Sequence, residues 1–220
     1  MSLNRIRIEL SESFHKFFQC RFIIVMSLVL SLLLLFNSLF FSPIQKTSMG
    51  QIQNISVSKF LNYEDRPYGF KIEYPADWEK VQFSPGITQD PHNMVVNFLS
   101  PLRGPSQTFR EYLLIEAANV TSVVSNLSTF SKQELSFLAQ SFPHFTPVLV
   151  NSSSSLAGHN AYTVVFTYSD PIVGTAKAME IWAMIGPKGY ILSYHADSSD
   201  YTGYLPSIEN MIHSFRIITK

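Results

Sequence analysis

Charged positions vanish from one long block near the start of the chain. Phe22 to Phe41 reads FIIVMSLVLSLLLLFNSLFF, with no charge, proline or glycine. At about 1.5 Å per residue, a helix of that length spans roughly the 30 Å hydrocarbon core of a bilayer. A buried helix in a water-soluble domain rarely runs so long without a polar stripe. The block is therefore expected to be a transmembrane signal anchor. The competing reading is a cleaved signal peptide, whose apolar core is about 7 to 15 residues and ends in a small-x-small site. Ser38-Leu-Phe-Phe-Ser42 is a poor site of that kind, and the segment before the block is long.

Beyond the block the pattern changes to short alternating runs. Ser42 to Arg66 is polar and aperiodic, with Pro43 and Gly50, and is expected to be a tether. Phe70, Ile72 and Tyr74 then alternate with polar residues. Ala76-Asp77 predicts a turn, and Trp78 to Phe83 resumes the alternation, which together predict a β-hairpin. Ser84 to Asn93 reads as a loop. Further strands are expected over Met94–Leu99, Tyr112–Ala118, Val148–Asn151, Ala161–Tyr168, Ala176–Ile185 and Tyr190–Ala196. Ser152 to Ser155 with Gly158 predicts a turn, and Gly186-Pro187-Lys188-Gly189 predicts another hairpin.

Two helices interrupt these strands. Ser131 and Glu134 have the spacing of a capping box, with Phe130 and Leu135 placed as a hydrophobic staple. Leu135, Leu138, Ala139 and Phe142 follow as one buried face, and Pro143 stops the helix. The second helix is expected to start near Tyr204, with Pro206 in its first turn and Leu205, Ile208, Met211, Ile212 and Phe215 inward. Strands, helix, strands, helix with antiparallel connections predict an α+β domain, in which an antiparallel β-sheet is flanked by helices.

Charge sets the orientation. Arg5, Arg7, Lys16 and Arg21 precede the apolar block, and only Lys46 and Lys59 follow it closely. The positive-inside rule then places the N-terminus in the cytoplasm and the rest outside. The expected organisation is a cytoplasmic segment over 1–21, the anchor over 22–41, the tether over 42–66 and an extracytoplasmic domain over 67–220. Four of the 16 Lys/Arg and two of the 16 Asp/Glu precede the block, leaving 12 against 14 beyond it. So neutral a remainder gives no support for nucleic-acid binding, for which a basic stripe is the expected footprint, and no nucleic-acid partner is expected. The single cysteine, Cys20, excludes a disulfide within the chain and any cysteine-rich zinc site. Asn-x-Ser/Thr sequons begin at Asn54, Asn119, Asn126 and Asn151, a number only modestly above chance for this composition.

Two stretches carry a family resemblance. Tyr68-Gly-Phe-Lys-Ile-Glu-Tyr-Pro-Ala-Asp-Trp78 opens the domain. Gly189-Tyr-Ile-Leu-Ser-Tyr-His-Ala196, Tyr201 and Met211-Ile-His-Ser-Phe-Arg-Ile217 close it. In order and spacing they resemble the PsbP family, whose antiparallel sheet between helices is shared with Mog1-like domains. The resemblance runs from about Tyr68 to Thr219, and the anchored arrangement is similar to that of prokaryotic members. It implies a non-catalytic extrinsic domain. Plant members assist the oxygen-evolving side of photosystem II and are associated with calcium and manganese. This chain differs from them in its anchor and short tether, and in lacking a transit peptide and a lysine-rich stretch.

The residues offer few candidates for chemistry. His195, Asp197 and Asp200 cluster in sequence and could present ligands to a metal such as calcium or manganese. An ordinary solvated loop with a structural histidine is the plainer reading. His144, His159 and the Asp90-Pro91-His92 tripeptide are expected to place surface histidines. The aromatics Tyr68, Tyr74, Trp78, Trp182, Tyr190 and Tyr194 could line a groove, although a sheet face packed under helices accounts for them more simply. G-x-S-x-G, P-loop, G-x-G-x-x-G and H-E-x-x-H signatures are absent. No cofactor is expected beyond what the resemblance implies. The expected function is a membrane-anchored accessory or protein-interaction module, not an enzyme, with divalent-metal or small-ligand binding as the alternative.

Overall fold

The alternating runs become strands in the structure, a computed structural model that describes residues 59–84, 92–104, 107–119 and 126–218. The expected anchor and most of the expected tether lie outside the described residues. Among the described residues no helix is long and apolar enough to cross a membrane. All of them belong to one unit, Val57–Lys220.

The strands are β1 (Phe60–Asp65), β2 (Phe70–Pro75), β3 (Glu79–Gln82), β4 (His92–Leu99), β5 (Tyr112–Asn119), β6 (Thr146–Leu156), β7 (His159–Asp170), β8 (Gly174–Ile185), β9 (Lys188–Asp197) and β10 (Arg216–Ile217). The helices are α1 (Leu127–Ser141) and α2 (Tyr201–Ser214). Strands β1, β2 and β10 form a small sheet, and the other seven form a larger one in the order β3-β4-β5-β9-β8-β7-β6. All pairings are antiparallel.

The centre of the large sheet is buried on both faces, so β9 is buried over most of its length. On one face Tyr190, Leu192, Tyr194 and Ala196 of β9 pack with Phe70 and Ile72 of β2 and with Ile208, Met211 and Phe215 of the α2 region. On the other, Val164, Phe166, Ala178, Trp182 and Ile191 pack with Phe130 and Leu138 of α1. The architecture is thus α+β, a mainly antiparallel structure with a helix on each side of its principal sheet.

Several local expectations are corrected. The expected hairpin over residues 68–83 does not form. β2 pairs with β1 and β10, whereas β3 pairs with β4 in the other sheet. The chain changes sheets at the corner where Trp78 N–H donates to Pro75 O at 3.0 Å. Alternation reports which face is buried, and both strands alternate whichever neighbour they take.

The expected tether is also too long, because β1 occupies its last part. The buried side of β1 presents Tyr63 and Asp65, with Leu61 left exposed. A buried aspartate and an exposed leucine invert the usual pattern, so periodicity could not find this strand. Asp65 is accommodated by the Tyr63 hydroxyl at 2.8 Å and the Tyr68 N–H at 2.9 Å.

Helix α1 starts a turn before Ser131. Its cap is Asn126, whose Oδ1 accepts from Thr129 N–H at 2.9 Å. Ser131 and Glu134 lie on the buried face with Phe130 and Leu138, and Ala139 is exposed. A capping-box spacing of three is equally the spacing of neighbours on one helix face. Helix α2 likewise starts early, at Tyr201, and holds Pro206 inside it. Finally, β6 continues through Ser152–Ser155 to Leu156, and the turn falls at Ala157 and Gly158.

Candidate functional site

Polar side chains are concentrated on the α1 side of the large sheet. Cross-strand register defines their rows. Tyr112 lies opposite His195, and His195 opposite Ala178. One step along, Asn97 faces Leu114, Leu114 faces Ser193, and Ser193 faces Glu180. His195, Ser193, Glu116 and Glu180 are all 5% exposed or less. Burying so many polar groups is costly unless each is hydrogen-bonded.

Much of this layer is satisfied by specific contacts. The His195 ring stacks on Tyr112 with centroids 4.9 Å apart, and its Nδ1 shares a 3.0 Å hydrogen bond with the Tyr168 hydroxyl. Burial pushes the Tyr168 phenol far above its usual range, so this hydroxyl keeps its proton. Helix α1 contributes two further contacts. Trp182 Nε1–H donates to Ser131 Oγ at 2.8 Å, and His92 Nε2 lies 3.0 Å from Glu134 Oε1. Two atoms in the Asn97–Glu180 row, Asn97 Oδ1 and Ser193 Oγ, are buried without a hydrogen-bond partner.

A second polar group joins the start of α2 to the end of β4. Arg103 Nη2 contacts Glu111 Oε1 at 2.8 Å and also pairs with Asp200. Ser100 Oγ donates to the other oxygen of the fully buried Glu111 at 2.8 Å. The Arg103 hydrogen bond holds the Asp200 carboxyl below its usual range, against the opposing effect of burial.

The three residues expected as possible metal ligands are each tied into the fold. His195 is in the aromatic layer, and Asp200 is paired with Arg103. Asp197 Oδ1 accepts from both Ser199 N–H and Ser199 Oγ, at 2.9 and 2.8 Å, which is an ordinary turn contact. Among the described residues no group of three or more His, Cys, Asp or Glu could hold a metal ion.

His144 and His159 are exposed as expected, with His144 Nδ1 on Ser169 Oγ at 2.9 Å. His92 is not a surface histidine. It begins β4, is buried, and meets α1 through Glu134, while Asp90 and Pro91 lie outside the described residues. The aromatics expected as a groove divide between the two cores. Tyr74, Trp78, Tyr190 and Tyr194 pack on the α2 side and Trp182 on the α1 side, with Tyr68 half-buried. Glu111, Arg103 and the His92–Glu134 pair were invisible to sequence reasoning, because nothing local marks which distant residues will meet.

No protein-family model matches the chain, and no curated protein matches it in sequence. Solved structures do match. The cyanobacterial PsbP (CyanoP) of Synechocystis aligns with a TM-score of 0.51 at 13% identity, covering 77% of this chain and 98% of that one. The Ran-binding protein Mog1p of Saccharomyces cerevisiae aligns at 0.47 and 10%, covering 73% and 96%. LpqN of Mycobacterium tuberculosis, involved in cell envelope biogenesis, aligns at 0.47 and 10%, covering 76% and 88%. At such identities the similarity is one of fold. The match to CyanoP shows that the domain has a PsbP-like fold, as its opening and closing motifs predict.

Proposed function

We propose that the chain is a membrane-anchored accessory protein whose PsbP-like domain works outside the cytoplasm by binding a protein partner, without catalysis of its own. The observation that carries this reading is the use made of the titratable side chains. His195 is bonded to Tyr168, Asp200 to Arg103, Asp197 to the Ser199 turn and His92 to Glu134, so groups suited to acid–base or ligand chemistry hold the fold together. Phe22–Phe41 supplies the anchor, and the basic residues before it set the orientation. Fold likeness to CyanoP and Mog1p supports an accessory or interaction role by analogy.

Photo-crosslinking in the native membrane tests it. A photoreactive residue is placed in turn at the exposed Leu61, Leu102 and Ile172 of the full chain. One position yielding a discrete, reproducible protein adduct supports the reading. Uniform absence of adducts from all three counts against it.

A second reading, binding of a divalent metal or small ligand, is favoured by one observation. Asn97 Oδ1 and Ser193 Oγ are unpartnered in the same row that ends at Glu180. Calorimetry of the 57–220 unit with calcium, manganese and zinc tests the metal half of this reading. No heat of binding at millimolar ion would exclude it.

A further inference from the structure

Among the described residues no strand pairs with the outer side of β6, and Val148, Leu149 and Val150 on it are 59%, 52% and 51% exposed. No residue from Thr146 to Leu156 is charged. Proteins usually blunt such edges with charge, proline, bulges or a cover, because unpaired N–H and C=O groups recruit other strands. Here Pro147 and two register shifts are present, and charge is missing.

The second shift falls between Asn151 and Ser154. Ser152 and Ser153 therefore form a bulge directly after Asn151, which pairs with Thr163, and every residue from Thr146 through Ser153 is exposed. Asn151-Ser152-Ser153 is an Asn-x-Ser acceptor for N-glycosylation. Asn151 Oδ1 accepts from Ser153 N–H at 2.9 Å, and Ser154 Oγ donates to Asn151 O at 3.4 Å. With Oδ1 tied into its own turn, Nδ2 is the amide atom left to carry a substituent. Of the remaining sequons, Asn126 is committed to capping α1, and Asn54 and the Asn119 side chain lie outside the described residues.

We propose that Asn151 carries an N-linked glycan which covers the outer β6 edge and takes the place of the missing charges. The donor is a lipid-pyrophosphate-linked oligosaccharide in the compartment to which the domain is exported. Nδ2 bonds to C1 of the first sugar as the C1–O bond to the lipid pyrophosphate breaks. The pyrophosphate leaves with the electron pair, and Nδ2 loses one proton. The proposal rests on the export reading, since donor and transferase act on the far side of the membrane.

Translation of the full chain into rough microsomes tests it, with an Asn-Gly-Thr acceptor appended after Lys220 as an independent marker of export. Ser56→Ala, Thr121→Ala and Ser128→Ala remove the other sequons and keep the Asn126 cap. The expected product carries glycans at Asn151 and on the tail, and adding Ser153→Ala removes one mobility step. A glycosylated tail with no step lost on Ser153→Ala overturns the proposal and leaves export standing. A chain modified at neither place refutes export, and the proposal with it. The covering role has its own readout in sedimentation. The Ser153→Ala chain is expected to self-associate more than the glycosylated chain, and Val150→Lys is expected to reverse this. A Ser153→Ala chain no more prone to associate than its glycosylated parent overturns the covering role.

Discussion

His92 Nε2 and Glu134 Oε1 lie 3.0 Å apart, with side chains only 7% and 4% exposed, and they join the first residue of β4 to the middle of α1. The Phe137 ring meets the histidine edge-on with centroids 5.6 Å apart, so the pair is packed as well as bonded. A buried pair of this kind can be worth little relative to an apolar replacement of both members. Losing one member alone takes this contact away from a polar group that stays buried.

Glu134→Leu is therefore expected to destabilise the domain by roughly 3 kcal/mol, a large part of an ordinary folding free energy. Combining it with His92→Leu is expected to cost clearly less than the two single changes added together. Urea denaturation of the four chains in a double-mutant cycle measures the coupling. Strict additivity would show that the two side chains do not depend on each other.

Trp182 and Ser131 allow the same logic to be applied to a neutral pair. The indole N–H donates at 2.8 Å to a hydroxyl in a site where Trp182 is 0% and Ser131 3% exposed. Ser131→Ala leaves that N–H buried and unpaired, which costs about 1–3 kcal/mol. In a chain that already has Trp182→Phe, the donor is gone, and Ser131→Ala is expected to cost under half as much. An equal loss in both backgrounds would mean that the hydroxyl serves something other than the indole.

These contacts mark the limit of what the chain discloses by itself. Apolar runs between turn signals mark β4, β5, β7, β8 and β9 to within a few residues, and in β7 the alternation of buried side chains is itself a local signature. Gly186 and Pro187 announced the β8–β9 hairpin for a similar reason. Which strands pair is a property of the whole sheet, so the hairpin expected from Tyr68 to Phe83 became a crossing between two sheets. Ser131 and Glu134 have the spacing of a cap and lie instead on the buried face, because a local motif and a buried stripe share one spacing. The tertiary partners of Ser131 and Glu134, Trp182 and His92, are remote in sequence. Of the site, the sequence marks His195 as a structural histidine or a ligand, and its Tyr168 and Tyr112 contacts come from register across four strands.

Gly189 shows how closely α1 approaches the sheet. A Cβ built there would sit 2.6 Å from Phe130 Cζ, well inside contact distance, on the ring that anchors the first turns of the helix. Gly189→Ala is expected to cost about 1–3 kcal/mol by overpacking. Phe130→Leu, itself destabilising through lost packing, should recover part of that loss when combined with it. Thermal melts of the single and double variants decide this. A double variant no better than the sum of its parts would place the strain elsewhere.

Asp200 and Arg103 connect stability to pH. The arginine holds the carboxyl below its usual range, chiefly through their hydrogen bond. A depressed folded-state pKa favours the ionised form in the folded chain. Its stabilising contribution is present above the unfolded aspartate value of about 3.9 and is lost as pH falls through the lower folded value. Asp200 is 33% and Arg103 46% exposed, so solvent and salt screen the pair and the effect is modest. Asp200→Asn is expected to lower the melting temperature at neutral pH by a small amount. The gap to the parent chain should close on acidification below the carboxylate range, and it should also narrow in high salt. Melting curves from neutral pH downward measure both trends. A gap that stays constant across that range would mean that Asp200 acts through packing at the start of α2 and not through its charge.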